Sequence, residues 1–351
     1  MSPLTAPPDD RLTRNLRRLG NAYAFTSRRY ARRPPSHRPI YPVLDLVVAE
    51  TRVEAEDVLV VRFHDVGGAP LPPWTLGSHL DLTLPSGRRR QYSLCGDPAD
   101  SSTDQIAVRR LPAGGGGSLE VHEAVRAGMR LPVRGPLNAF PFIPAPSYLF
   151  LAGGIGITPV LPMVEAAARA GVDWRFVYTG CSRTTMPFLD RVGALDSSRV
   201  TVRPDDEHGD HLSPASLVAD VAPDAAVYCC GPTPMLDGVV AQVHARGTGS
   251  VHTERFSAPP VVDGKPLEVH LARRGTSVHV PADRSVLAVV REAMPEVGYS
   301  CQQGFCGTCK VGVLKGEVDH RDGRLTDDER AGGDMLICVS RSTGGALTLD
   351  L

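Results

Sequence analysis

Hydrophobic residues are spaced in three different ways along the chain. Between Asp10 and Tyr30, Leu12, Leu16, Leu19 and Tyr23 recur at helical spacing among arginines, behind Pro7 and Pro8 and with Asp9 or Asp10 placed to cap. This predicts an amphipathic terminal helix, which Gly20 weakens. From Tyr41 to Phe142 the pattern is one of short β-type runs, such as 42–48, 58–63 and 79–84, set apart by Gly and Pro turns. Such spacing predicts a small β-barrel. At Ser147 the pattern changes again. Tyr148 to Ala152 is a continuous apolar run, as expected of a buried parallel strand, and a Gly-rich turn and a helical stretch from Thr158 to Ala170 follow it. Strands at Trp174–Thr179 and Ala225–Cys230 and helices at Ser213–Val221 and Pro234–Arg246 continue the alternation, which predicts a doubly wound α/β unit.

Residues Phe256 to Pro266 have a linker's composition, stiff at Pro259 and Pro260 and flexible at Gly264. Beyond them the sequence predicts a hairpin around Gly275, a helix near Ser285 to Ala293, a cysteine-bearing loop and a terminal strand from Ala346 to Leu351. The expected organisation is an arm at 1–40, a barrel at 41–146, an α/β unit at 147–256, a linker at 257–266 and a third unit at 267–351. A chain of 351 residues suits several cores better than one.

Composition narrows the function classes. With 42% hydrophobic and 22% charged residues the chain is neither wholly disordered nor coiled-coil. The net charge of −1 conceals a basic first segment, with nine Arg and two Asp in residues 1–40, followed by mildly acidic units that do not read as a nucleic-acid surface. The arm fits a helix on the protein's own surface, a partner or membrane contact, or a mitochondrial presequence. The long uncharged run from Leu137 to Val164 is interrupted by Pro141, Pro144, Pro146, Gly153, Gly154, Gly156, Pro159 and Pro162, so no transmembrane span is expected there. Without a secretory signal a reducing cytoplasm is expected, and the cysteines then need an explanation other than disulfides.

Cys301, Cys306 and Cys309, with Cys338 further on, have the C-x4-C-x2-C…C spacing of a plant-type 2Fe–2S cluster. Gly304 and Gly307 let the backbone wrap the cluster. A structural zinc site would favour paired C-x2-C hooks, and Cys306/Cys309 is the only such pair. Cys95, Cys181 and Cys229 read as small buried hydrophobes. The Gly153–Pro159 turn sits where a buried strand meets a helix, a place where free N–H groups favour a diphosphate, and a second strand-end loop, Cys229–Pro232, lies downstream. A flavin needs a cation for its phosphate, a flat wall for its ring and a hydroxyl near N5, and Arg90, Tyr92 and Ser93 supply these types.

Together these residues resemble the ferredoxin reductase-type flavoproteins, most closely the phthalate dioxygenase reductase class, over about Tyr41 to Leu351. The resemblance implies a multidomain fold: an antiparallel β-barrel flavin domain, an α/β doubly wound nucleotide-binding domain and an α+β β-grasp ferredoxin domain. It puts the flavin motif R-x-Y-S at Arg90, Tyr92 and Ser93, with further flavin contacts at Val108, Arg109, Arg110, Gly116, Gly117 and Ser118. The nicotinamide motif falls on Gly153, Gly154, Gly156, Thr158 and Pro159, and on Cys230, Gly231 and Pro232. Glu254 and Phe256 would lie near the flavin, and Ser93, Cys230 and Glu254 would flank hydride transfer. After the second α/β strand stand Ser182 and Arg183, where NADH-selective members of the family place an acidic residue; Arg183 suits a 2′-phosphate or adenine stacking. The domain order resembles the members that hold FMN, although related reductases hold FAD.

The implied activity is an NAD(P)H-dependent oxygenase reductase: electrons pass from NADH or NADPH through FMN to the 2Fe–2S cluster, and on to a terminal oxygenase in a separate chain, Rieske-type or haem-thiolate. A monomer is expected. Two other readings stay open: a flavin reductase or diaphorase acting directly on a small acceptor, and a redox-sensing iron–sulfur flavoprotein without turnover.

Overall fold

The computed structural model describes residues 43–112, 116–219, 221–247, 249–256, 261–295, 297–299, 302–304 and 307–351. The basic helix expected within residues 10–30, and Cys301 and Cys306, lie outside the described residues.

The first sheet contains β1 (Val43–Ala55), β2 (Val58–Asp65), β3 (Ser78–Thr83), β4 (Arg89–Ser93), β5 (Asp104–Arg109) and β6 (Arg130–Asn138), in the spatial order β4-β3-β6-β1-β2-β5. Every pairing is antiparallel. Alternation along the strands turns Leu46, Val48, Phe63, Leu80, Leu82, Ile106 and Val133 into one core. The edge strands β4 and β5 meet through a bridge at Leu94–Ile106 and through Cys95 N–H donating to Gln105 O at 2.9 Å. The barrel is thus a curled sheet drawn together at one end.

The second sheet is parallel, with β7 (Ser147–Gly153), β8 (Asp173–Gly180), β9 (Val200–Pro204), β10 (Ala226–Cys230) and β11 (Ser250–Glu254) in the order β11-β10-β7-β8-β9. The order reverses between β7 and β10, and the crevice outside the carboxyl ends of those strands is where an open α/β sheet binds ligands. Helices Ile157–Ala170 and Thr233–Arg246 each stop at a left-handed glycine, Gly171 and Gly247. The helix expected from Ser213 to Val221 is only Pro214–Leu217, capped by Ser213; beyond it the N–H groups of Ala219 and Val221 bond three residues back, as in tight turns.

The third unit has β12 (Leu267–Leu271), β13 (Thr276–Val280), β14 (Lys310–Lys315), a two-residue β15 (Val318–Asp319), β16 (Asp334–Leu336), β17 (Arg341–Ser342) and β18 (Leu347–Leu349). Its main sheet runs β13-β12-β18-β14-β16, and helix Val286–Ala293, N-capped by Ser285, buries Val286, Leu287, Val289 and Val290 beside it in a β-grasp arrangement. The guanidinium of Arg341, 1% exposed, donates to the carbonyls of Lys265 at 2.8 Å and Pro281 at 2.9 Å. One cation thereby ties the start of this unit to its end.

The cores divide unevenly. Val58, Val60, Cys95, Ala107 and Phe140 of the barrel join Phe150, Phe176, Tyr178 and Tyr228 of the second sheet in a single hydrophobic cluster, whereas the third unit has a core of its own. Cys95 and Cys229 are buried as expected, but Cys181 is exposed because it follows β8 into the loop outside the sheet. Among the described residues no helix is long and apolar enough to cross a membrane.

Candidate functional site

All three units border one cleft. The barrel contributes His79, Arg90, Tyr92 and Ser93, the end of β11 contributes Glu254 and Phe256, and the third unit contributes Gln302 and Gln303. Arg90 and Tyr92 share a face of β4 because strand residues alternate. Glu254 is delivered by sheet register, since β11 pairs in parallel with β10 and sets Glu254 beside Cys230. The Ser93 hydroxyl donates to Glu254 Oε2 at 3.3 Å. Burial pushes the Glu254 carboxyl up to about 8, with the Ser93 hydrogen bond opposing it in part. Burial also raises the Cys230 thiol far above its ordinary range and lowers His79, which faces Ser93 across β3 and β4, to about 4. Near neutral pH the cleft therefore presents an uncharged carboxyl and imidazole between Arg90 and Arg255, with the Cys230 thiol buried beside Glu254, an environment fit for a flat, partly apolar ring.

Arg90 also meets the start of a helix beside it. A Cβ on Gly117 would stand 2.3 Å from Arg90 Nε, so only glycine there lets the guanidinium lie against the first turn of helix Gly117–Ala124. A cation beside free helical N–H groups fits a terminal phosphate. The Ser118 hydroxyl is turned to Leu111 instead, accepting from its N–H at 3.0 Å and donating to its carbonyl at 3.4 Å. Val108 lies in the barrel core and its carbonyl is bonded by His122 at 2.8 Å. Arg110 pairs with Glu123 at 3.6 Å. Arg109 reaches the second sheet instead, its Nη1 lying 3.2 Å from where a Cβ on Gly154 would stand.

The nucleotide loops meet backbone to backbone. A Cβ on Gly156 would fall 2.2 Å from Cys230 O, and one on Gly153 would fall 2.6 Å from Pro232 Cδ and 3.3 Å from Gly231 Cα. These glycines let the carboxyl ends of β7 and β10 close on each other, which leaves the start of helix Ile157–Ala170 at the crevice. The buried Thr158 hydroxyl donates to Ile155 O at 3.0 Å, and Pro159 is buried in the first turn, so both shape the loop. Ser182 caps the short turn that follows β8, its hydroxyl bonded to Thr184 and Thr185. Arg183 is held along one edge by Glu207 in a bidentate pair, Nε to Oε1 at 2.6 Å and Nη2 to Oε2 at 3.0 Å. Glu207 escaped the sequence reading because its short helix, Asp205–His208, follows β9, which the run Val200–Pro204 did not announce.

Cys309 and Cys338 are both buried, and the fold explains how distant cysteines converge. Cys309 immediately precedes β14 and Cys338 follows β16; these strands are antiparallel, with Lys310 opposite Leu336, and Ile337 N–H donates to Cys309 O at 3.4 Å. Gly304 and Gly307, at φ +79 and +80, have the left-handed backbone that a wrapped loop requires.

The family pattern of the 2Fe-2S iron-sulfur cluster binding domain matches residues 269–343. The reductase subunit of the toluene-4-sulfonate monooxygenase system of Comamonas testosteroni is 38% identical over 312 residues, which span 87% of this chain and 98% of that protein. Phthalate dioxygenase reductase of Burkholderia cepacia is 38% identical over 315 residues, 88% of this chain and 97% of its own length. The chain belongs to the phthalate dioxygenase reductase class of oxygenase reductases. The reductase also matches the solved phthalate dioxygenase reductase, a modular structure for electron transfer from pyridine nucleotides to a 2Fe–2S centre, with a TM-score of 0.67 and 37% identity over 88% of this chain and 98% of that one. Full-length CYP116B46 from Tepidiphilus thermophilus matches with a TM-score of 0.66 and 40% identity over 88% of this chain but 42% of its own. The reductase thus spans about two fifths of that longer chain.

Proposed function

We propose that the reductase draws electrons from NADH and hands them singly to a separate iron-containing oxygenase through FMN and its 2Fe–2S cluster. The observation that carries this reading is the shared cleft, where flavin-type residues, the carboxyl edge of the nucleotide sheet and the cysteine-bearing unit border one space. Flavin, when bound, supplies the conversion of a hydride pair into single electrons. The chain's own residues do the rest. Arg90 and the amides at Gly116, Gly117 and Ser118 hold the phosphate; a guanidinium with a helix start matches the doubly charged end of FMN. Tyr92 and Phe256 wall the ring, and the 51% exposure of Phe256 suits a face that a cofactor or nicotinamide would cover. Ser93 and Glu254 form a neutral, hydrogen-bonded floor where nicotinamide meets the ring, with the Cys230 thiol buried beside Glu254 and Glu254 keeping a proton at neutral pH.

Gly153, Gly154 and Gly156 with Gly231 and Pro232 shape the dinucleotide crevice, which Arg109 reaches from the barrel. Cys301, Cys306, Cys309 and Cys338 hold the cluster. NADH is favoured because the Glu207 carboxylate already occupies the Nε–Nη2 edge of Arg183 and would repel a 2′-phosphate. The working modules are 41–146, 147–256 and 267–351 about the 257–266 linker. One chain carries the whole path, so a monomer suffices, and a reducing compartment keeps its thiolates available for iron.

The test is the visible spectrum and extracted flavin of the purified protein, followed by NADH oxidation with ferricyanide or cytochrome c. Bound FMN and cluster absorbance are expected, and Cys338→Ser should abolish the cluster and most cytochrome c reduction while leaving ferricyanide reduction. Protein without flavin or without steady NADH oxidation would refute the reading.

A further inference from the structure

We propose that Tyr299 latches the cysteine-bearing unit onto the flavin strand and thereby sets the rate at which electrons reach the cluster. The proposal rests on the reading above, in which flavin sits against β4 and the cluster beside Cys309. Tyr299 stands two residues before Cys301, and both ends of it grip β4. Its hydroxyl donates to Arg89 O at 3.1 Å, and its carbonyl accepts from Gln91 Nε2 at 3.3 Å. These partners flank Arg90. Gln91 meets Tyr299 through its side chain and Arg89 through its backbone carbonyl, and Gln91 and Tyr299 border the same cleft as Arg90 and Tyr92, so one five-residue strand serves both the cleft and the third unit.

The ring itself is clamped: Tyr299 is 4% exposed, and Arg291, from helix Val286–Ala293, lies over it with Cζ 3.7 Å from the centroid. Beneath, Asp81 is 2% exposed, ion-paired to Arg89, and within the field of Arg134 and Arg291. Gln303 Nε2 adds a longer contact to Arg255 O at 3.5 Å. Among the described residues no hydrophobic cluster crosses this junction. Seating is therefore left to a few directional contacts, and the reach between flavin and cluster depends on them.

The step concerned moves one electron and makes no bond: reduced flavin loses it, one ferric ion of the cluster gains it, and the oxygenase later takes it away. Tyrosine here is a positioning residue. The test is the double variant Tyr299→Phe with Gln91→Ala, which removes both hydrogen bonds and keeps the ring under Arg291. With NADH as the probe in stopped flow, cluster reduction should slow about tenfold or more while flavin reduction changes less than about twofold. Both reduction potentials should stay at wild-type values. The resting protein should show a larger radius of gyration by small-angle scattering, a readout that needs no turnover. Should the double variant fail to fold, Tyr299→Phe alone should show the same selective slowing in smaller degree. Cluster reduction at the wild-type rate, or slowed in step with flavin reduction, would overturn the latch. Absence of flavin or cluster in the wild type would instead sink the reading beneath it, so the two failures are distinguishable.

Discussion

The two junctions that this electron path crosses are built from different materials. Barrel and nucleotide sheet share one apolar cluster, in which Phe140 meets Tyr228 edge to face at 5.4 Å, and the Tyr228 hydroxyl is fixed by Pro141 O at 3.0 Å. Arg191 adds a bond across to Cys95 O at 2.7 Å while it holds Glu165. The third unit, by contrast, has its own core and meets β4 through hydrogen bonds and a cation over a ring. Hydride transfer needs reacting atoms in van der Waals contact, so its two supports are fused into one core. Single-electron transfer tolerates a gap, and a polar junction tunes that gap without disturbing either core.

The sharpest way to break this contrast is to empty the shared core. Phe140→Ala should cost about 3–5 kcal/mol and lower the unfolding temperature of barrel and nucleotide sheet together. Leu287→Ala, in the third unit's separate core, should cost about 2–5 kcal/mol and leave NADH-to-ferricyanide turnover in place. Differential scanning calorimetry with the two variants side by side would decide it. Barrel and sheet melting apart already in the wild-type protein would show that the shared cluster does not couple them.

Gly156→Ala should come next. Its methyl would stand 2.2 Å from Cys230 O and 2.8 Å from Gly231 N, both backbone atoms that cannot swing aside. The expected cost is about 1–3 kcal/mol with KM for NADH raised at least about tenfold, read by thermal unfolding and steady-state kinetics. Gly171→Ala, at φ +66 with open space around it, tests whether backbone strain alone destabilises without raising KM.

Much of this architecture was legible in sequence because its signals are local. Tyr148 to Ala152 reads as a buried strand since every side chain in it faces protein, and the cysteine spacing reports a loop that must wrap its own ligands. The junctions were not legible. Gln91 and Tyr299 meet across 208 positions and Ser93 and Glu254 across 161, distances over which no periodicity carries information. Glycines read as phosphate-binding stand where two loops touch, and Ser118 and Val108 are bonded to backbone and packed in the core. Residue type announced the chemistry, but packing decided which atoms remained free for it.

Glu254 sharpens the first junction further. Its carboxyl is pushed from an ordinary 4.5 up to about 8, so between those values the folded protein keeps a proton that the unfolded chain has released. Stability of the cofactor-free protein should therefore fall as pH rises through that window, and Glu254→Gln should flatten the fall. Unfolding temperatures at pH 6 and pH 9 check the sign; equal slopes in both proteins would remove Glu254 from the account. In turnover, the same substitution should abolish the decline in flavin reduction expected above pH 8 as the carboxylate charges.

The smallest effect belongs to the far edge of the nucleotide sheet. Arg183 and Glu207 are exposed, and a paired guanidinium at the surface exchanges readily with water and salt, so the pair adds little to stability. Its proposed consequence is selectivity. With Glu207 in place a 2′-phosphate must displace one carboxylate and face its charge, whereas NADH brings no group that competes. Glu207→Gln keeps the length of the side chain, removes the charge and leaves Arg183 free to grip a phosphate with two donors. KM for NADPH should fall severalfold and KM for NADH should barely move, and the gain should shrink as ionic strength rises. Arg183→Ala in the Glu207→Gln background should erase the gain. If NADPH binding improves without Arg183, removal of a repulsive charge explains the preference and the arginine has no part in it.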